Sequence, residues 1–373
     1  MLNKKINKIL SKNFDHFNTP GHKGSLMPHD ISEIANGKYF PADLIENAQK
    51  KASEVFKCKE VRFLTHGASL GIKAAILAVD GDIITSHNSH TSVFEGVNLS
   101  KVKCGIMQNN GESDLRNGGE KNVGVSNANP NKNDNYSALK RNTFPPSYHN
   151  HYIPTIADLQ QSLKNHPFAK AVVLTTPDYF GRILSLDIIK AVKDAGKILI
   201  LDSAHGAHFS FRKDLFPSTF MEYADFCIFS AHKSLNAYTQ TAYLCINNAS
   251  LIQKTDEALQ LLGTTSPFYP FLAQLENAVY YHTENAGKYD ALKKLCDNFR
   301  KEIKAFHSDD FTRLVVDMSD FSFYSAWELY DKLLKNGIVA EAYCADSIIF
   351  ITTIEDDKKK FNRLIKVLKE LKC

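Results

Sequence analysis

Short apolar runs alternate with amphipathic segments along most of the chain. Runs typical of buried strands lie at 61–65, 83–85, 171–175, 198–201 and 226–229. Apolar residues recur every three or four positions, as on one face of a helix, at 44–56, 72–79, 156–163 and 186–195. Because strands that alternate with helices are joined by crossovers, this order predicts an α/β domain with a mostly parallel sheet.

The order of predicted elements changes towards the end of the chain. A long helical stretch at 269–306 precedes a new arrangement, which comprises a strand at 313–316, a helix at 326–335, strands at 338–342 and 347–353, and a helix at 358–371. We therefore expect a large domain at 41–306 and a small C-terminal α+β domain at 307–373.

Two further segments stand apart from this pattern. Residues 1–40 form an N-terminal arm and loop, in which apolar residues at helical spacing predict a short amphipathic helix docked on the body. These residues are Leu2, Ile6, Ile9 and Leu10. Residues 108–150 are rich in Asn, Gly, Ser and Lys, and such a composition buries too little surface to offset its ordering entropy. We expect a flexible surface insertion there.

Composition narrows the class of protein. The 373 residues are 43% hydrophobic and 23% charged, as in an ordinary globular protein, and no apolar run reaches the roughly 20 residues of a membrane span. The net charge of +4 is spread along the chain, which argues against nucleic-acid binding. The seven cysteines lack CxxC or zinc spacing and predict reduced thiols of a cytoplasmic protein without a metal.

A lysine follows one of the predicted buried strands. Lys233 lies just after the run at 226–229, beside Ser230 and His232. Burial disfavours the charged ammonium and lowers the pKa of a lysine, which makes a nucleophilic free amine available. The segment therefore predicts a Schiff-base lysine, with a solvated surface lysine as the alternative.

A carboxylate follows the preceding strand. Asp202 ends the run at 198–201 and would face the crevice where parallel sheets bind ligands. Pyridoxal phosphate (PLP) needs such an acid beside its pyridine nitrogen, because the protonated ring is a better electron sink. The alternative is a metal site made of Asp202, His205 and His208.

Two other strand ends carry candidate binding groups. Gly67, Ala68 and Ser69 form a strand-to-helix turn whose backbone amides would attract a phosphate, unless Ser69 is only a helix N-cap. His90 follows the run at 83–85 and would stack on a cofactor ring, unless it is a capping or exposed histidine.

Eight short motifs, in order, resemble the major domain of the Orn/Lys/Arg decarboxylase family, which belongs to the fold-type-I (aspartate-aminotransferase-like) PLP enzymes. They are TPGHKG at 19–24, ADL at 42–44, GAS at 67–69, NSH at 88–90, TPDYFG at 176–181, DSAHGAH at 202–208, SAHK at 230–233 and TTSP at 264–267. The resemblance covers most of the chain outside 108–150. Three positions depart from the usual family pattern, namely Ser203, Ile72 and Thr91.

The resemblance implies a role for each candidate residue. Lys233 would form the Schiff base with PLP and Asp202 would pair with the pyridine nitrogen. The ring would lie between His90 and Ala204, with His205 nearby. The phosphate would be held by Ala68, Ser69, Ser230 and His232. The loop with Thr264 and Thr265 would reach the cofactor of a neighbouring subunit, which implies a homodimer with shared sites.

The expected activity is PLP-dependent decarboxylation of a small-molecule substrate, a basic amino acid such as ornithine, lysine or arginine. Lys233 or His232 would return a proton to the substrate Cα. Two alternatives keep the fold. One is an aminotransferase or another lyase, since this fold hosts many chemistries. The other is a non-catalytic binding or regulatory protein, which the absence of the family's long C-terminal domain from this sequence favours.

Overall fold

A seven-stranded sheet forms the centre of the large domain. The computed structural model describes residues 2–12, 15, 17, 19–23, 25–27, 29–30, 43–107, 151–321 and 323–372. The strands of this sheet are β1 (Glu60–Leu64), β2 (Ile83–Ser86), β3 (Cys104–Met107), β4 (Ala171–Thr175), β5 (Ile198–Asp202), β6 (Phe226–Ser230) and β7 (Ala242–Ile246). Their order is β1-β7-β6-β5-β4-β2-β3, and β7 runs antiparallel to the other six strands. The mostly parallel sheet is confirmed.

Helices cover both faces of this sheet, which explains why its strands read as uninterrupted apolar runs. Along β5, Leu199 and Leu201 pack into the core on one face, whereas Ile200 packs into the core on the other. The helices are α2 (Asp43–Phe56), α3 (Gly67–Val79), α4 (Thr91–Ser100), α5 (Ile156–Asn165), α6 (Leu186–Asp194), α7 (Ala231–Ser234), α8 (Ile252–Leu262) and α9 (Tyr269–Glu284).

The N-terminal arm contains the predicted docked helix, α1 (Leu2–Leu10). Leu2 and Ile6 are buried in the large core, and the Leu2 amide donates a hydrogen bond of 2.5 Å to Glu276 Oε2 on α9. The predicted amphipathic helix is therefore confirmed. None of the described helices has both the length and the apolar character that crossing a membrane requires.

A second, smaller sheet follows in the chain. Its strands are β8 (Arg313–Asp317), β9 (Ala342–Tyr343) and β10 (Ser347–Ile351), in the antiparallel order β8-β10-β9. Three helices share its core, namely α10 (Lys288–Glu302), α11 (Ala326–Lys335) and α12 (Lys358–Glu370). The helix α10 precedes the predicted domain boundary after residue 306, and that boundary stays a prediction.

The structure corrects two predicted elements. The helical stretch at 269–306 is two helices, because the chain turns at Gly287 between α9 and α10. The strand predicted at 338–342 is reduced to the two residues of β9, since only Ala342 and Tyr343 pair with β10. The predicted insertion at 108–150 and Ala42 of the motif ADL lie outside the described residues.

Candidate active site

The two central candidates lie at the ends of adjacent strands. β5 and β6 are parallel neighbours, so Asp202 and the residues after Ser230 emerge at the same edge of the sheet. Asp202 is buried, and its Oδ1 accepts a hydrogen bond of 3.2 Å from the Ala204 amide. Lys233 lies on the single-turn helix α7 that begins directly after β6.

The environment of Lys233 suits a reactive amine. Its Nζ lies 3.1 Å from His205 Nε2. Burial is the main cause that lowers the pKa of Lys233, and Arg313 lowers it further, although Asp202 and Glu341 act in the opposite direction. This environment argues against a solvated surface lysine.

His205 lies between the lysine and the small sheet. The side chain is buried, and its Nδ1 is 3.2 Å from Arg313 Nη2 on β8. The ring of Tyr179 meets the His205 ring edge-on, with 5.1 Å between centroids. Burial lowers the pKa of His205 well below its usual range, helped by Lys233 and Arg313. The ring is therefore neutral.

Ser230 and His232 contact each other at the end of β6. The Ser230 Oγ is 3.1 Å from His232 Nδ1, and Ser230 is buried. Burial is also the main reason why the pKa of His232 is lowered. A hydroxyl and an imidazole thus lie in contact at positions 230 and 232, directly before Lys233.

The strand-to-helix turn after β1 has a free helix N-terminus. Gly67 has φ +76°, a left-handed conformation that favours glycine, and its amide donates 2.7 Å to the Gln240 carbonyl. The N-cap residue of α3 is His66, whose side chain makes no capping hydrogen bond. Ser69 is therefore not the N-cap, and the His66 side chain does not cap the amides of Ala68 and Ser69.

His90 caps a helix. Its Nδ1 accepts 3.2 Å from the Ser92 amide at the start of α4 and lies 2.8 Å from Ser92 Oγ. The capping alternative therefore describes its contacts. The ring stacking that the resemblance implies for His90, with Ala204 on the other side, stays a prediction.

The threonine loop lies between α8 and α9. Thr264 and Thr265 are exposed, and Thr264 Oγ1 accepts a hydrogen bond of 3.0 Å from the Ser266 amide within the loop. An exposed loop is compatible with a contact to another subunit. That contact stays a prediction, because the structure describes one chain.

The alternative metal site is not supported. His205 Nε2 faces Lys233, whereas His208 Nε2 lies 3.1 Å from Asp310 Oδ2 in the small domain. Within the part of the chain that the structure describes, no three His, Cys, Asp or Glu side chains converge as a metal site would require.

Sequence reasoning missed the groups that the small domain contributes. Arg313 and Asp310 are completely buried, and Glu341 accepts a hydrogen bond of 2.7 Å from Tyr179 Oη. No motif marked these three residues, and an arginine that opens an apolar strand is usually exposed. Tyr179 belonged to a quoted motif but had no assigned role.

The architecture identifies the fold of the chain. A seven-stranded sheet of this topology, with a smaller domain after it, is the fold of the fold-type-I, aspartate-aminotransferase-like PLP enzymes. The family model described as "Orn/Lys/Arg decarboxylase, major domain" matches residues 149–350, more than half of the chain. The chain belongs to the Orn/Lys/Arg decarboxylase family, which confirms the resemblance of the motifs.

Individual relatives agree with this assignment. The chain is 30% identical to the uncharacterized protein YaaO of Bacillus subtilis over 72% of the chain and 54% of YaaO. It is 23% identical to an arginine decarboxylase of the same organism over 98% of the chain and 76% of that relative. The crystal structure of the Francisella novicida lysine decarboxylase matches the whole of this chain over 59% of the length of that enzyme's chain. The TM-score of 0.73 at 19% identity shows that the two proteins share a fold. The chain thus spans little more than half the length of YaaO and of that structure.

Proposed function

We propose that this protein is a PLP-dependent decarboxylase of a basic amino acid, with ornithine, lysine or arginine as the substrate. The observation that carries the proposal is the partly buried Lys233 amine, which is hydrogen-bonded to His205 and follows the strand next to the one that ends at Asp202. An amine with a lowered pKa beside a buried carboxylate is the pair that PLP chemistry needs.

The residues present fit PLP by the chemistry of their donors. Lys233 offers the amine that takes up the cofactor aldehyde, and Asp202 offers the anion for the pyridine nitrogen. The amides of Ala68 and Ser69, with the side chains of Ser230 and His232, offer donors for the phosphate. The Gly67 amide of this turn donates a hydrogen bond to the carbonyl of Gln240, which follows Lys233 in the chain. This contact holds the turn near the segment after Lys233.

When bound, PLP supplies an aldehyde for the substrate amine and a ring that accepts electrons from the bond cleaved at Cα. Asp202 would hold a proton on the pyridine nitrogen by its negative charge. Lys233 Nζ or His232 would return a proton to the substrate Cα. His205 orients Lys233 through the 3.1 Å hydrogen bond.

An acidic group supports the choice of a basic substrate. Glu341 acts electrostatically on both Lys233 and His232 and is exposed to solvent. Tyr179 donates to it at 2.7 Å while packing against His205, so the carboxylate is held beside the reactive groups. A carboxylate in this position would attract the cationic side chain of ornithine, lysine or arginine.

The first experiment tests the cofactor. The purified protein with PLP is treated with borohydride and digested, and the peptides are analysed by mass spectrometry. We expect the reduced cofactor to be attached to Lys233 and absent from Lys197, a partly exposed lysine that donates to the Pro167 carbonyl. Modification of surface lysines alone would contradict the assignment.

The second experiment tests the reaction. The protein is incubated with ornithine, lysine or arginine in turn, and carbon dioxide, amine and keto acid are measured. We expect carbon dioxide and the matching amine in equal amounts. A keto acid would indicate aminotransfer, and no turnover of any amino acid by PLP-loaded protein would favour a non-catalytic member.

A further inference from the structure

We propose that Arg313 is a positioning residue for the reactive lysine. It holds His205 in the tautomer with a proton on Nε2, and this N–H group donates to Lys233 and keeps the Lys233 amine unprotonated. The inference rests on the proposed function in taking Lys233 as the reacting amine. The small domain would thereby control the charge of the Lys233 amine.

The contacts of Arg313 determine where the His205 proton lies. Arg313 Nη2 is 3.2 Å from His205 Nδ1 and 3.3 Å from the His205 carbonyl. A guanidinium has only donors, so Nδ1 must accept and carries no proton. A neutral imidazole has one proton, which therefore lies on Nε2.

The proton on Nε2 determines the state of Lys233. Nε2 is 3.1 Å from Lys233 Nζ, and the N–H group needs an acceptor there. An ammonium has no lone pair, whereas a free amine accepts the hydrogen bond. The chain from Arg313 through His205 thus selects the nucleophilic form of Lys233.

Neighbouring groups keep Arg313 in this position. Arg313 is fully buried, with Nη1 3.1 Å from Thr312 Oγ1 and 3.5 Å from Asp310 Oδ2. The Asp310 amide donates a hydrogen bond of 2.9 Å to the Gly181 carbonyl. This bond connects the segment before β8 to the loop after β4. Gly181 has φ +80°, and a Cβ there would lie 2.4 Å from Ser308 Oγ and 2.7 Å from Arg313 Cγ. Only a glycine permits this approach.

Several charged and titratable groups surround both Lys233 and His205. Lys233 is influenced by Asp202, Arg313 and Glu341, as well as by its contact with His205. His205 is influenced by Lys233, Arg313, His208 and His90. The two carboxylates favour a charged lysine, so Arg313 and burial must outweigh them if the amine is to stay neutral.

The test measures the titration of Lys233 without cofactor or substrate. The full-length chain is freed of bound carbonyl compounds with hydroxylamine and labelled with trinitrobenzenesulfonate, and the labelling rate of the Lys233 peptide is followed against pH. We expect Arg313→Lys to move the midpoint to higher pH, because the positive charge beside Asp310 stays while the donor to His205 Nδ1 is lost. Arg313→Met should move it further. Each pH unit lowers the rate about tenfold below the midpoint.

A control variant and a second test variant complete the experiment. Arg300→Lys should leave the midpoint unchanged, because Arg300 donates only to the carbonyls of Phe311 and Arg313 in its described contacts. Gly181→Ala changes no ionisable group but displaces Arg313, and it should raise the midpoint by less than Arg313→Met. It also serves if Arg313→Met fails to fold.

An unchanged midpoint in folded Arg313→Lys and Gly181→Ala would overturn the proposal and leave Arg313 as the partner of Asp310 alone. The labelling reports on Lys233 whether or not the protein decarboxylates an amino acid. A failure of the proposed function would instead appear in the product assay, with the labelling midpoints still shifted.

Discussion

The two sides of the candidate site are built differently. The strand-end side, made of Asp202 and the stretch from Ser230 to Lys233, lies at the edge of the large sheet. The small-sheet side, made of Asp310, Arg313 and Glu341, belongs to the C-terminal unit. The first side carries sequence motifs and the groups that would react. The second carries no motif and holds a fully buried ion pair.

The strand-end side supplies the groups that would react, whereas the small-sheet side influences their protonation. Groups of the strand-end side lie where a ligand would bind, and their positions follow directly from the strands before them. Groups of the small-sheet side act on them through His205 and through charge. Substitutions on the first side should therefore remove activity, whereas those on the second should change stability, protonation or substrate affinity.

The largest effect is expected for Lys233→Ala. Loss of the amine should abolish turnover while the fold is retained, because the side chain contributes little to either core. Circular dichroism and product formation measure the two properties. A folded variant with normal turnover would rule out the proposed role, and Lys197→Ala is the matched control.

Asp202→Asn should reduce the rate constant at saturating PLP by about 10²–10³-fold, the range for loss of one preorganised electrostatic partner. The neutral amide cannot hold the pyridine nitrogen in its protonated form, so the loss should fall on kcat more than on cofactor affinity. An unchanged kcat at saturating cofactor would contradict the electron-sink role of Asp202.

On the small-sheet side, Asp310→Asn should lower the free energy of unfolding by about 3–5 kcal/mol, because it leaves the Arg313 charge buried and unpaired. Burial by itself would raise the pKa of Asp310, but His208 and Arg313 lower it below its ordinary value. The stabilisation is thus complete above the unfolded pKa, near 4, and is lost as the pH falls further.

Denaturant titrations at pH 7 and pH 3 would test this prediction. We expect the difference in free energy of unfolding between wild type and variant to be smaller at pH 3. Asp290→Asn is the control, since its pair with Arg212 lies at the surface and should matter little. An equal loss in both variants would remove the distinction between a buried and an exposed pair.

Glu341→Gln should raise KM for the basic substrate, by up to about fivefold as for an exposed ion pair, with a smaller change in kcat. The amide keeps a hydrogen-bond acceptor for Tyr179 but loses the negative charge. Steady-state kinetics at low and high salt should show that the difference in KM between wild type and variant becomes smaller as the ionic strength rises. A KM that does not change would exclude Glu341 from substrate attraction.

The smallest effect is expected in the threonine loop. Replacing Thr264 and Thr265 with Val should weaken PLP retention and make it depend on protein concentration, if the loop donates to a partner subunit's cofactor. Sedimentation with and without PLP measures this linkage. A monomer that retains PLP as tightly as a dimer would show that the loop only connects α8 and α9.

Much of the large domain could be predicted from local pattern. The apolar runs before Asp202 and Lys233 match β5 and β6, because strands buried on both faces need uninterrupted apolar residues. Two strands of the sheet were not predicted, β3 and β7. β7 has an equally apolar run, but its antiparallel direction depends on pairing with both β1 and β6, which no local pattern reveals.

The sequence by itself determined which groups stand at the strand ends, since Asp202, Ser230 and Lys233 follow their strands within a few residues. Only the tertiary structure decided what surrounds them. Arg313 and His205 are 108 residues apart in the chain, and their contact depends on docking of the small sheet at Gly181. Local spacing specifies backbone direction, but the charge of the Lys233 amine depends on neighbours that only folding brings within hydrogen-bond distance.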